Sequence, residues 1–369
     1  LPADAISPAA AVAPRNLLGL PKAELADYFG ALGEKPFRAR QVMQWIYQRG
    51  VLDFGAMTDL SRDLRERLGI SASLDLPGVV QREVSEDGTR KWLIDVGGGQ
   101  AVESVFIPEP NRGTLCISSQ AGCAIDCAFC ATGHQGFNRN LTAQEILAQV
   151  LIAREELSAD ITNVVFMGMG EPLANYDNVL RAVQILVDDF GFGLSRRRVT
   201  ISTSGLVPQL LRLAGDCNVA LAVSLHATTD ETRNRLVPIN RLHPIDKLLD
   251  ACWKYAEVLA SRHVTFEYVM LADVNDSAAD AKRLVGLLRN RPAKVNLIPF
   301  NPFPGSEFVC SRPEVIDRFI GILRERGIVA TIRRARGDDI AAACGQLAGR
   351  VHDRRKVRLG EKLSGVVSA

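Results

Sequence analysis

Apolar positions change period twice along the chain, and each change marks a different kind of structure. From about Lys22 to Leu68 they recur at helical spacing, with Phe37, Val42, Trp45 and Ile46 on one face and Leu60, Leu64 and Leu68 on another. From Val79 to Ser119 the pattern breaks into short β-rich runs, VVQREV, KWLIDV, AVESVFIP and GTLCISS. The turn signals Glu86-Asp87-Gly88 and Gly97-Gly98-Gly99 separate them. Further on, Thr142-Ala-Gln-Glu145 has the spacing of a capping box that opens an amphipathic helix through about Leu157.

Strand-length runs then alternate with helical ones. Strands are predicted at Ile161–Met167, Arg198–Ser202, Val219–Leu225, Val264–Met270, Lys294–Ile298 and Ile328–Ile332. Helices are predicted at Asn178–Asp188, Val207–Leu213, Ile245–Leu259, Ala278–Leu288 and Pro313–Arg326. Such alternation argues for a parallel sheet of βα units. With GTLCISS as the first strand, six units make an α/β fold, a partial (β/α)6 TIM-like barrel, with ligands at the carboxyl ends of the strands. The expected division is a flexible Ala/Pro-rich leader (1–16), a small helical accessory domain that is a candidate for RNA binding (17–75), a β-rich connecting extension (76–112), the barrel (113–349) and a basic tail (350–369).

At 369 residues the chain can bury one large core and a smaller one. Its 47% hydrophobic and 23% charged content is that of a soluble globular protein. A formal net charge of +2 gives no global polybasic field, so any nucleic-acid contact has to come from local patches. Two are candidates. Arg38, Arg40, Arg49, Arg62, Arg65 and Arg67 decorate the helical block, and Arg350, Arg354, Arg355, Lys356, Arg358 and Lys362 crowd the tail, with Arg333, Arg334 and Arg336 nearby. Each reads equally as a solvated face or as an RNA or phosphate contact. No apolar run approaches a membrane span, and the first residues lack the charged and apolar regions of a secretory signal. Four of the eight cysteines fall between Cys116 and Cys130, which points to metal in a reducing compartment, with the cytoplasm as the expected location.

Those four cysteines lie in C-I-S-S-Q-A-G-C-A-I-D-C-A-F-C-A-T-G, from Cys116 to Gly133. Cys123, Cys127 and Cys130 are spaced C-x3-C-x2-C, with Phe129 directly before the last. Three thiolates on one tight loop can hold three irons of a [4Fe–4S] cluster and leave the fourth open to a substrate or cofactor. Zinc also fits the bare spacing: Cys127, Cys130 and His134 have ligand intervals, and Cys116 with Cys123 can complete a closed set.

Other candidates stand at predicted strand ends. In Gly168-Met-Gly-Glu-Pro172, glycines allow close backbone approach and Glu171 can accept from an ammonium, although a plain turn reads the same. Ser202, and Ser224-Leu225-His226, end the next two strands, where hydroxyls and backbone can hold ribose and carboxylate oxygens. Asn301 lies on the Pro-rich loop I-P-F-N-P-F-P-G. Glu103 falls between Val102 and Ser104 in a strand and reads by default as outward-facing. Cys344, in R-G-D-D-I-A-A-A-C-G-Q-L-A-G, is expected on a short Ala-rich helix stopped by glycine, where a lone cysteine is by default packing, as are Cys217, Cys252 and Cys310.

The cysteine loop with its aromatic residue resembles the signature of radical S-adenosylmethionine (SAM) enzymes, in which SAM chelates the open iron. G-M-G-E-P looks like the superfamily segment that contacts the SAM amino group. With D-D-I-x-A-A-C-G-Q-L and Cys116 added, the chain resembles the RlmN/Cfr family of RNA-methylating radical SAM enzymes from the helical block through the last helix. No motif position departs from the family pattern.

That resemblance implies a [4Fe–4S] cluster on Cys123, Cys127 and Cys130, and SAM held by Gly170, Glu171, Ser202, Ser224, Leu225, His226 and Asn301. It implies that Cys344 carries a methyl group as S-methylcysteine, taken from one SAM, while a second SAM yields the radical that activates it. Cys116 is then the resolving thiol, through a transient disulfide with Cys344, and Glu103 the proton acceptor. The implied substrates are one adenine in the peptidyl-transferase region of 23S rRNA and adenine 37 of some tRNAs, both methylated at C2. The implied electron donor is of the flavodoxin kind, and a monomer is expected. Methylation at C8 of the same rRNA adenine is the nearest alternative. A non-catalytic iron–sulfur or zinc RNA-binding module is another, but neither needs a SAM segment or a methyl-accepting thiol.

Overall fold

The computed structural model describes residues 14–258, 263–355 and 359. Most of the expected leader and most of the tail, including Lys356, Arg358 and Lys362, lie outside the described residues.

The N-terminal block is closed on itself by a short parallel pair, β1 (Arg15–Asn16) with β2 (Ala72–Ser73). Between them run α1 (Lys22–Ala31), α2 (Phe37–Met43), which continues into a π-helical turn over Gln44–Gln48, and α3 (Arg62–Ser71). Ser61 caps α3 by accepting from the Leu64 N–H, which satisfies one of the donors a helix start leaves orphaned. Val42, Ile46, Leu60, Leu64 and Leu68 are buried as their spacing predicts. Phe37 is not: it opens α2 at the surface, 38% exposed, with the Arg38 guanidinium stacked over its ring. Several arginines of this block are engaged within it, Arg38 and Arg67 with Glu34 and Arg62 with Glu66.

Next come four antiparallel strands, β3 (Val79–Val84), β4 (Arg90–Asp95), β5 (Ala101–Glu109) and β6 (Arg112–Cys116). A short ribbon, β7 (Gln120–Gly122) with β8 (Phe137–Asn140), follows and encloses the cysteine loop and α4 (Ala131–Gln135). Sequence periodicity misses this ribbon, because Q-A-G and F-N-R-N are too short to show alternation.

After α5 (Ala143–Glu156), opened by the predicted Thr142/Glu145 capping box, the βα alternation begins. It runs β9 (Asn163–Phe166), α6 (Tyr176–Val187), β10 (Val199–Thr203), α7 (Val207–Asp216), β11 (Ala220–Ser224), α8 (Asp230–Leu236), α9 (Ile245–Val258), β12 (Val264–Met270), α10 (Ala278–Leu288), β13 (Ala293–Pro299), α11 (Pro313–Glu325) and β14 (Val329–Ile332). One sheet holds them in the order β14-β13-β12-β11-β10-β9-β6-β5-β4-β3. From β6 to β14 all pairs are parallel, so among the described residues six crossovers join seven parallel strands. The two end strands, β14 and β3, do not pair, which makes an incomplete barrel continuous with an antiparallel extension. Alternate strand residues and the inner helix faces form the main core, including Ile146, Leu147, Val150, Phe166, Ile201, Val223 and Phe266, and a smaller cluster around Val269, Leu236 and Phe300 lies beside it. Each such side chain contributes about 1.5–3 kcal/mol by leaving water.

Candidate active site

Backbone contacts set the shape of the cysteine loop. Cys123 N–H donates to the Gly136 carbonyl at 2.6 Å, Cys130 N–H to Cys127 at 3.2 Å and Ala128 N–H to Leu236 at 3.0 Å. Gly122 has φ +79°, and a Cβ there would stand 2.0 Å from the Gly136 oxygen, so glycine alone permits this closure. Arg355 packs beneath the loop with only 8% of its side chain exposed, paired to Asp353 at 3.1 Å and to Asp126 at 3.6 Å. At Arg355, then, the tail is folded structure rather than a solvated terminus.

Desolvation raises the Cys123 thiol to about 12 and the Cys127 thiol as well, so thiolates there require a compensating positive charge, which iron supplies. Among the described residues no three His, Cys, Asp or Glu side chains close on one point as ligands of a single ion would. Thiolates of a cluster bind different irons and need not converge in that way. His134, a ligand in the zinc reading, pairs through Nε2 with the Ala128 carbonyl at 3.0 Å and meets the Phe303 ring edge-on. The donor set therefore fits a three-cysteine cluster better than zinc.

A cavity at the carboxyl ends of β9 to β13 joins the predicted groups. Its wall holds Cys123, Cys127, Cys130, Gly170, Glu171, Ser202, Ser224, His226, Asn301 and Cys344. Gly170 has φ +102°, and a Cβ would run into Gln120 at 2.5 Å. Glu171 is buried and accepts from Leu173 N–H (3.0 Å), Ser204 N–H (2.7 Å) and Ser204 Oγ (2.7 Å). Burial raises its pKa in spite of these donors. His226 stands in the left-handed region at φ 57°, its Nδ1 accepting from Val269 N–H at 3.0 Å and its ring meeting Phe129 edge-on. Burial and Arg233 hold it near a pKa of about 3, hence neutral.

Leu225 can reach this cavity only through its backbone. Its side chain is wholly in the core and outside that wall, and its carbonyl accepts from Arg233 Nε at 3.0 Å. Arg233, which sequence reading missed, is fully buried and also donates to the Ser204, Ser224 and Asn240 oxygens at 2.7, 2.9 and 2.8 Å. It ties the ends of β10 and β11 together.

Cys344 is not on a helix. A 3-10 turn over Asp338–Ile340 breaks at Ala341 (φ 49°) and Gly345 (φ 85°), both left-handed, and Cys344 sits in the turn between them. Three bonds hold this turn against the cavity: Asn301 Nδ2 to Cys344 O at 3.1 Å, Ala131 N–H to Gly345 O at 2.8 Å and Thr132 Oγ1 to Leu347 O at 2.5 Å. Cys344, Asn301, Glu267 and Arg333 also border a second cavity inside the barrel, lined by Thr114, Val165, Thr200 and Thr265.

Cys116 ends β6, buried, and the fold brings it within electrostatic reach of Cys344. Burial pushes its thiol up to about 12, Cys344 adds to the rise, and Arg333 with the Met167 N–H opposes it. Burial raises the Cys344 thiol too, again against Arg333. Arg333, read above as part of a phosphate-attracting patch, is instead turned inward, within electrostatic reach of both thiols and with its Nη1 3.6 Å from Met167 Sδ, and the charge of Cys344 raises its own pKa. Glu103 is buried rather than outward-facing: its carboxylate accepts from Ala348 N–H at 2.8 Å and pairs with Lys91 at 3.3 Å. Neither cavity wall includes it. Cys252 is core packing, as expected.

Comparison with known proteins agrees with this geometry. Residues 15–74 match the family model of the ribosomal RNA large subunit methyltransferase N-terminal domain, and residues 117–285 that of the radical SAM superfamily. The chain is 54% identical, over 94% of its length and 97% of theirs, to dual-specificity RNA methyltransferases RlmN of Francisella tularensis subsp. novicida (strain U112) and subsp. mediasiatica (strain FSC147). Among solved structures, a radical SAM methyltransferase from Sphaerobacter thermophilus superposes with a TM-score of 0.84 at 47% identity, covering 90% of this chain and 99% of that one. The fold is thus a partial TIM-like barrel of the radical SAM type, its cofactors are a [4Fe–4S] cluster and SAM, and the chain belongs to the RlmN family of radical SAM RNA methyltransferases.

Proposed function

We propose that this protein methylates C2 of adenine in RNA, at one adenine of the peptidyl-transferase region of 23S rRNA and at adenine 37 of some tRNAs. The observation that carries the reading is that Cys116 and Cys344, remote in sequence, come within electrostatic reach of one another, with Cys344 on the cavity wall that also holds the cysteine loop. Cys123, Cys127 and Cys130 would hold the cluster, and the wall from Gly170 and Glu171 through Ser202, Ser224, His226 and Asn301 would hold SAM. When bound, cluster and SAM supply methyl groups and a carbon radical that removes hydrogen from an S-methyl group.

Cys344 is the methyl carrier in this reading, poised between the SAM-side cavity and the barrel interior. Its methylene carbon bonds to C2 of an adenine that has left its stack. One electron from the adduct radical would pass to the oxidised cluster that Cys123, Cys127 and Cys130 would hold, and Glu103 takes the C2 proton. Cys116, as thiolate, attacks the Cys344 sulfur: the S–S bond forms, the S–CH2 bond breaks, and the electron pair leaves on the carbon now attached to adenine. That carbon takes up a proton and becomes the methyl group. A thiol reductant then restores both cysteines. Arg333 supports this role, since a buried thiol ionises only beside a cation.

The test is the mass of the peptide containing Cys344, from protein isolated with its cluster intact, followed by nucleoside analysis of treated RNA. An added methyl on Cys344 and 2-methyladenosine in the RNA are expected. An unmodified Cys344 after exposure to SAM overturns the carrier role, and 8-methyladenosine overturns the C2 assignment.

A further inference from the structure

Residues 337–350, which carry Cys344, do not rest on the barrel alone. They lie across the antiparallel extension. Asp339 accepts from Ser85 Oγ at 2.5 Å and from Glu86 N–H at 3.2 Å, Gly337 N–H donates to Asp87 at 3.2 Å, and Arg350 and Ala101 exchange backbone hydrogen bonds of 2.8 Å. In the middle of this contact is Lys91, on β4, with 7% of its side chain exposed. Lys91 stands opposite Glu83 on β3 and two residues from the position opposite Glu103 on β5, so the three side chains share one sheet face.

The ammonium meets three acceptors: Glu83 Oε2 at 3.0 Å, Glu103 Oε1 at 3.3 Å and the Ile340 carbonyl. Lysine offers three donors on a compact head and accepts nothing, which matches that set; a buried lysine is rare unless paired in this way. The second oxygen of Glu103 accepts from Ala348 N–H at 2.8 Å. Glu103 and Lys91 thereby grip both ends of the turn that holds Cys344, one at Ile340 and one at Ala348.

We propose that Lys91 is a positioning residue for methyl transfer, setting the proposed proton acceptor Glu103 and the Cys344 turn in one register through a single buried ammonium. The inference rests on the roles proposed above for Glu103 and Cys344. It gives the antiparallel extension a task, as the platform against which the methyl carrier is aligned. Without Lys91, Glu83 and Glu103 face each other as like charges, and the Ile340 carbonyl loses its donor. Glu103 then turns away from the register it shares with the Cys344 turn and is a poorer base.

The experiment compares Lys91→Met and Lys91→Arg with the wild-type holoenzyme in single-turnover transfer from methylated Cys344 to RNA. In Lys91→Met, cluster content should stay at wild-type level and Cys344 should still become methylated, with at most about a fewfold loss, while transfer falls about a hundredfold, the scale of a displaced general base. The RNA concentration for half-maximal rate should move by less than about twofold, because the loss is in the chemical step. Lys91→Arg keeps a cation in place and should recover at least about tenfold of the lost rate. Transfer at the wild-type rate in Lys91→Met overturns the proposal. Equal loss of cluster, Cys344 methylation and transfer also overturns it, since Lys91 would then hold the fold and not the site. A wild-type Cys344 without its methyl group is a different failure: it removes the function proposed above, and shows before any variant is compared.

Discussion

Cys116 and Cys344 are chemically the same side chain, and their surroundings suit them to the different tasks proposed above. Cys344 borders both cavities, where a carrier has to reach SAM on one side and substrate on the other, whereas Cys116 is buried behind it and borders neither. Cys116→Ala should therefore keep the cluster, SAM binding and Cys344 methylation, yet leave RNA covalently attached through Cys344. Denaturing electrophoresis of protein with labelled RNA would show the adduct, and free methylated RNA at the normal rate would refute the resolving role. Replacing any one of Cys123, Cys127 or Cys130 by Ala should abolish 5′-deoxyadenosine formation, measured by chromatography. Persistence of that product in all three variants would refute the cluster assignment.

Among the elements, the ends of β10 and β11 depend on one buried cation from α8. Arg233 supplies donors to the carbonyls of Ser204, Ser224 and Leu225 and to Asn240, and burial lowers its own pKa to about 10. Arg233→Met fills similar space but leaves these acceptors unsatisfied. A loss of about 3–5 kcal/mol is expected, the scale of a broken buried polar network, read from chemical unfolding. Unchanged stability would mean that water takes over the bonds. The strands and helices at this scale were legible from period alone: β12 and α10 match their predicted bounds, and most other predicted elements differ by only a few residues. The β7–β8 ribbon and the irregular turn at Cys344 were not legible. Their shape comes from backbone contacts with distant segments, such as Ala131 to Gly345, and from left-handed residues that a helical composition conceals.

At the scale of the whole molecule, burial makes stability depend on acidity. His226 is held neutral with a folded-state pKa of about 3, below the ordinary 6.5. The unfolded chain binds a proton between those values and the folded chain does not, so this contribution is complete above about pH 6.5 and is lost as pH falls toward 3. His226→Asn should flatten part of that acid slope in unfolding midpoints measured at pH 4 to 7, since Asn tolerates φ 57° and can accept from Val269 N–H without titrating. An unchanged slope would show that other groups govern the acid limb. Across the described residues no helix is long and apolar enough to cross a membrane.

The sequence by itself determined the parts whose information is local. Apolar period set the βα alternation, the capping box opened α5, and three cysteines at short intervals with G-M-G-E-P marked the cofactor end of the barrel. Only the tertiary structure decided what meets across the chain. Glu103 looked like any outward strand residue until the turn at Cys344 covered it, Arg333 and Arg355 read as parts of basic patches until the fold turned them inward, and the buried Lys91 and Arg233 gave no signal of their own. The reason is physical: period records which face of an element is buried, while the partner of a buried charge is supplied by another element and leaves no mark in its own neighbourhood.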